Sequence, residues 1–222
     1  MVREISPLRS IWFRPGKTIK SIAHDNPGHR LLAWPILAGC GTSPSLVISD
    51  ASFFDFHFIV MITTLFPAHP IVELLTVFVG AYLIRLTGYL FGGRAGTAAL
   101  RTAFVWSQVP MVVLAIMSIG VALTTSAFKQ LAVADSNWKE DGFWQSTLIT
   151  LFVVEAILVF WSLYILVAGI VSIQRISWSN AVVSCVLAWL VFVLAFAILV
   201  AMLGGLDAVV TVFSAIPKGM GR

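Results

Sequence analysis

Residues 176–206 read ISWSNAVVSCVLAWLVFVLAFAILVAMLGGL, and no Asp, Glu, Lys or Arg interrupts them. About 20 apolar residues are enough to cross the roughly 30 Å hydrocarbon core of a bilayer as a helix. Working outward, the same pattern recurs. Residues 142–174 hold only Glu155, 102–128 and 31–48 hold no charge, and 71–91 hold Glu73 near one end and Arg85 in the last third. Over the whole chain 59% of residues are apolar and 11% charged, against about 25% charged in an average globular protein. That balance excludes a soluble domain and excludes a disordered chain, which would be rich in charge and poor in aromatics.

Backbone groups in lipid must bond within their own segment, so each apolar run is read as a helix. The fold class is all-α: an integral membrane bundle of five transmembrane helices at about 31–48, 71–91, 102–125, 148–173 and 181–204. A basic amphipathic cytoplasmic segment (1–30) precedes the membrane domain (31–204), and a short external tail (205–222) follows it. The positive-inside rule sets the orientation. With the N-terminus inside, ten of the 14 Lys and Arg fall on inner segments: Arg3, Arg9, Arg14, Lys17, Lys20, Arg30, Arg85, Arg94, Arg101 and Arg175. Lys129, Lys139, Lys218 and Arg222 fall outside, together with Asp50, Asp55, Asp135, Glu140, Asp141 and Asp207. N-in and C-out satisfies both signs. The stretch 51–70 has too short an apolar core to span and ends in Pro67-Ala68-His69-Pro70, so it is expected to be an interfacial or re-entrant helix on the outer side.

In the N-terminal segment Ile5, Leu8, Ile11 and Trp12 recur at helical spacing, and Ile19 and Ile22 follow beyond Pro15. One or two short helices in the inner interface are expected, with Arg9, Trp12, Arg14, Lys17 and Lys20 toward lipid and its anionic headgroups. Removing residues 1–23 should then leave the spans folded. The plainer reading is a basic flank that only fixes topology. Leu37-Ala38-Gly39-Cys40 fits the short consensus before a lipidated cysteine, but the basic region is too long for a signal peptide. Cys40 and Cys185 are read as small apolar fillers.

No phosphate-binding Gly-x-x-x-x-Gly-Lys, His-Glu-x-x-His or Gly-x-Ser-x-Gly turn is present. His24, Asp25 and His29 around Asn26-Pro27-Gly28 are read as a solvated helix break, and no catalytic residue, metal or cofactor is assigned. Glu155 is the exception worth attention. It lies roughly 10 Å below the outer boundary, where an ionised carboxylate is costly unless it faces the bundle interior. Equal depth on neighbouring spans reaches Ser118, Thr42 and Ser43. This group is either a proton or cation site, or a neutral Glu bonded to a hydroxyl that ties helices together. Gly88, Gly92 and Gly96 form two Gly-x-x-x-Gly intervals that suit close helix contact or a flexible turn. Pro110 should kink the third span, with Gln108 placed to rebond the freed backbone.

Taken in order, these residues resemble the Yip family, the Ypt/Rab-interacting integral membrane proteins, in their short prokaryotic form. The resemblance covers most of residues 10–200. It is carried by Ile11-Trp12-Phe13-Arg14-Pro15-Gly16-Lys17-Thr18, which looks like the family's apolar-x-Pro-x-x-Thr opening. It continues through Gly92-Gly93-Arg94-Ala95-Gly96, through Leu100 to Pro110, and through Trp161-Ser162-Leu163 to Ala181. Five spans with a cytoplasmic N-terminus are also the family's layout. The longer N-terminal region and Asp-Leu-x-Gly-Pro motif of the eukaryotic branch do not occur, so its binding of prenylated Rab GTPases is not carried over. The resemblance implies a non-enzymatic membrane-organising or adaptor protein, in a bacterial cytoplasmic membrane in preference to ER or Golgi. Its partners would be the bilayer, a second copy or another membrane protein, with no nucleic acid. The alternative is a proton- or cation-coupled transporter or channel using Glu155.

Overall fold

The computed structural model describes residues 6–26, 32–39, 66–117, 120 and 141–214. Every regular element among them is a helix. Two short helices, α1 (Pro7–Phe13) and α2 (Pro15–Asp25), precede α3 (Ala33–Gly39). Then come α4 (Phe66–Tyr89), α5 (Thr97–Ser107), α6 (109–117), α7 (Asp141–Gln174) and α8 (Trp178–Ser214). Among the described residues four stretches are long and apolar enough to cross a membrane: Ile71–Tyr89, Thr97–Met117, Ile149–Gln174 and Trp178–Leu199. They match the last four expected spans. Most of the expected first span, and 51–65 of the expected outer helix, lie outside the described residues; α3 is the part of the first span that is seen.

Local sequence explains the breaks. Proline disfavours helical geometry in the residue before it, and Arg14, at φ −140° and ψ 58°, separates α1 from α2. Pro15 then opens α2, where its missing N–H costs nothing. The elbow is held by Thr18, whose hydroxyl bonds the Ser10 hydroxyl at 3.0 Å and the Arg14 carbonyl at 2.9 Å. The second span starts earlier than expected for the same reason. Pro67 falls in the first turn of α4, where N–H groups have no intrahelical acceptor, so Pro67 to Pro70 join the helix instead of ending it. Pro110 does break the third span. Gln108 stands as a turn between α5 and α6, its N–H bonding the Val105 carbonyl at 3.3 Å.

Both hairpins, α4–α5 and α7–α8, turn at the same end of the bundle. The Gln174 amide nitrogen, at the close of α7, donates to the Ile84 carbonyl in α4 at 3.2 Å. The hydroxyls of Thr87 and Ser184 lie 2.8 Å apart, joining α4 to α8. The N-terminal helices dock here too, as small residues allow. A side chain on Gly16 would sit 3.0 Å from the Ala168 carbonyl, and one on Gly169 would sit 2.9 Å from Ile19 and 3.0 Å from Ala103. Ile11 and Ile19 are fully buried in one core cluster with Val77, Val105, Trp106 and Ile165. Trp34 of α3 meets Trp106 edge-to-face, with ring centroids 6.0 Å apart. A second cluster nearer the hairpin end joins Ala81, Ile84, Leu100, Ile170 and Ala181.

Candidate functional site

Among the described residues, the polar side chains that tie one membrane helix to another include two sets. At the hairpin end Gln174, 4% exposed, inserts its amide against α4. Any side chain on Gly88 would collide with that amide, and one on Gly93 would sit 3.0 Å from its oxygen. Gly88 therefore makes room for a partner within the same chain. Gly92 acts differently, since its φ of +79° turns the chain after α4, a conformation that costs glycine little. A Cβ at Gly96 would meet nothing within 4 Å. The three glycines thus serve one close contact, one turn and one open position.

The second set lies further from that end. Ser162 donates to the Ser107 carbonyl at 2.7 Å, next to the break made by Pro110. The residue expected to rebond this backbone was Gln108. Its amide instead donates to the Glu73 carboxylate at 3.2 Å, linking α5–α6 to α4. Glu155 is half-buried on the same stripe of α7 as Leu151, Leu158, Ser162 and Ile165, the stripe spaced to face the bundle. It lies about 10 Å along α7 from Ser162, on the side away from the hairpins. Glu73 lies about 10 Å along α4 from Gly80, which packs on Phe104. Glu73, Gln108 and Glu155 are therefore in the same half of the bundle. Ser118 and Thr42, the proposed companions of Glu155, lie outside the described residues. Sequence reasoning missed the Glu73–Gln108 pair. Reflecting Glu73 through the 90–96 turn brings it to within about a turn and a half of Gln108, which was the available signal.

The N-terminal bases are displayed on a rigid support. Pro15, Thr18 and Ile19 of α2 are buried, while Lys17, Lys20, Ser21 and His24 form the opposite, exposed stripe. Arg9 and Arg14 are exposed as well, and Trp12 packs partly buried against the core cluster. The apolar face expected to rest on lipid rests on α5 and α7 instead. Ile11 and Ile19 are core residues, so removing residues 1–23 would open the bundle, contrary to the expectation from sequence.

A groove of about 470 Å3 opens between α4, α7 and α8, lined by residues such as Thr76, Gly80, Phe104, Leu166, Cys185 and Trp189. Nearly all of this lining is apolar, as suits a surface within hydrocarbon.

No curated protein and no solved structure matches the chain. The model of the Yip1 domain family matches residues 9–199, a region that takes in the docked N-terminal helices and all four described spans. The chain belongs to the Yip1 domain family.

Proposed function

We propose that this integral membrane protein is a non-enzymatic membrane-organising or adaptor protein of a bacterial cytoplasmic membrane. The observation that carries the reading is the docked α1–α2 pair. Burial of Ile11 and Ile19 fixes the two helices on the bundle, and Arg9, Arg14, Lys17 and Lys20 remain exposed on them. A basic segment that only set topology could remain a loose flank. Four bases on a fixed support make a cationic platform, suited to anionic headgroups or to an acidic surface of a membrane partner. The orientation with this platform inside follows from the excess of bases there.

The test is lateral lipid enrichment in proteoliposomes, followed by energy transfer from labelled full-length protein to headgroup-labelled lipids. Transfer to an anionic probe should exceed transfer to a zwitterionic one. Replacing all four bases with Gln should remove the excess and leave the fold intact, because each is exposed. Equal transfer to both probes in the wild type would contradict the reading.

A second reading, proton- or cation-coupled transport, is favoured by one observation. Glu73, bonded to Gln108, puts a second carboxylate in the same half of the bundle as Glu155. Ionisable groups within spans commonly mark ion paths. They also serve as interhelical glue, which is the role assigned to them here.

A further inference from the structure

Trp12 is the aromatic that the sequence offers to lipid in the N-terminal segment, and the structure turns it the other way. Ile11 is fully buried, and Trp12 packs half-buried against the core cluster. An α-helix turns about 100° per residue, so Phe13 stands about 200° from Ile11, on the side away from the bundle. Its ring is 80% exposed. Arg9 shares its stripe one turn earlier and Arg14 follows it at the elbow, and both are exposed. The elbow is held rigidly, because the Thr18 hydroxyl of α2 bonds the Ser10 hydroxyl of α1.

The level at which this ring is held follows from where α2 docks. α2 lies on the flanks of the spans: a Cβ on Gly16 would sit 3.0 Å from the Ala168 carbonyl and 3.4 Å from the Ser172 Cβ. Gly169 is met by Ile19 and by Ala103 of α5. Ser172, Gly169 and Ala168 lie about 3, 8 and 9 Å along α7 from Gln174, and Ala103 about 9 Å along α5 from Thr97. Arg175 is the first charge after Glu155, so the apolar run of α7 ends there. The polar zone of a bilayer is about 5–8 Å thick on each side. Gly16 is thus held where headgroups give way to acyl chains, and Phe13, three residues away, is within about 10 Å of it. A ring on the outward side of a helix that lies along the flank of a bundle points sideways, over the neighbouring lipid. The charge around it suits that surface, since residues 5–24 carry four bases and no acid.

We propose that Phe13 is a membrane anchor, inserted among the acyl chains of the leaflet at the hairpin end, with Arg9 and Arg14 reaching back to the headgroups beside it. Long basic side chains flanking an inserted aromatic ring are the pattern of helices that lie in a membrane interface. The inference rests on the reading of the docked pair as a membrane-facing platform. It adds a fixed depth to that platform: the bases collect headgroups, and the ring sets how far the pair sits in the leaflet.

The test uses the full chain in phosphatidylcholine liposomes, with Cys40 and Cys185 replaced by Ala. An environment-sensitive fluorophore is attached at Phe13→Cys and, for comparison, at His24→Cys, which is exposed on α2. The Phe13 position should emit further to the blue, be quenched by lipids spin-labelled near the top of the acyl chain, and be several-fold less accessible to iodide. Equal iodide quenching at the two positions would overturn the anchor and leave Phe13 free to meet a soluble partner. Equal protection from iodide at both would overturn it too, since the whole pair would then be sunk. Without anionic lipid present, the outcome is independent of headgroup selection. Failure of the platform reading would appear in the energy-transfer experiment with Phe13 still inserted. If the labelled variants do not fold, a lipid with a photoreactive group on its acyl chain decides on the wild type. Adducts on Phe13 support the anchor, and their absence from residues 9–14 contradicts it.

Discussion

α5–α6 and α8 are both spans, yet the chain treats them in opposite ways. Half of the Thr97–Met117 span is buried within the protein, against 11% of Trp178–Leu199. The buried helix is the less apolar one: it carries Thr102, Ser107 and Gln108, while Trp178–Leu199 has fewer polar groups and turns most of its Val, Leu and Phe outward. In water the order would be reversed. In lipid, apolar surface gains nothing by leaving hydrocarbon, so small residues and polar contacts decide which helices pack together. Gly80 and Gly169, both packed on α5, are the positions where close approach matters.

The sharpest break of this comparison is between two tryptophans. Trp106 of α5 is fully buried and Trp189 of α8 is 62% exposed. Trp106→Ala should cost about 3–5 kcal/mol, measured by denaturant unfolding in mixed micelles. Trp189→Ala should stay within about 0.5 kcal/mol. Equal losses would mean that α8 packs against something in the isolated protein. Next in size is Gly169→Leu, which must displace Ile19 and Ala103. It should cost about 1–3 kcal/mol and should raise protease cleavage within α2, reporting release of the docked helices.

A smaller effect runs in the opposite direction. Arg175 follows α7 with φ +58°, in the left-handed position that glycine usually takes. Arg175→Gly should therefore stabilise the protein by about 1 kcal/mol, seen as a raised midpoint. The smallest is Thr87→Val, which removes the hydroxyl contact with Ser184 and should cost about 0.6 kcal/mol, the average for such contacts in membranes. A loss several times larger would make that contact the main tie of α8 to the bundle.

The last four spans were legible because apolar runs of this length with at most one or two charges have no other stable fate. Pro15 and Pro110 were legible as breaks because proline acts through its own ring. Pro67 was misread because the same residue that breaks a helix interior is accepted in a first turn, and the sequence alone did not fix where the turn began. The docking of α2 was not legible either. An amphipathic stripe of Ile11, Ile19 and Ile22 reads the same whether it meets lipid or protein. What decides is a set of distant small residues, Gly169 and Ala103, together with Gly16 in α2 itself. Glu73 was passed over because its partner Gln108 lies 35 positions away. Glu155 was found because one charge in an apolar helix stands out, and its companions Ser118 and Thr42 were named by depth alone.

The central claim is that the carboxylates within the spans hold helices together and carry no ions. Full-length protein reconstituted in liposomes, with proton and cation flux followed for the wild type, Glu155→Gln and Glu73→Gln, tests it most directly. The account predicts that none of the three exceeds empty liposomes. A wild-type flux abolished by either substitution would contradict it and make Glu73, Gln108 and Glu155 the path of a transporter.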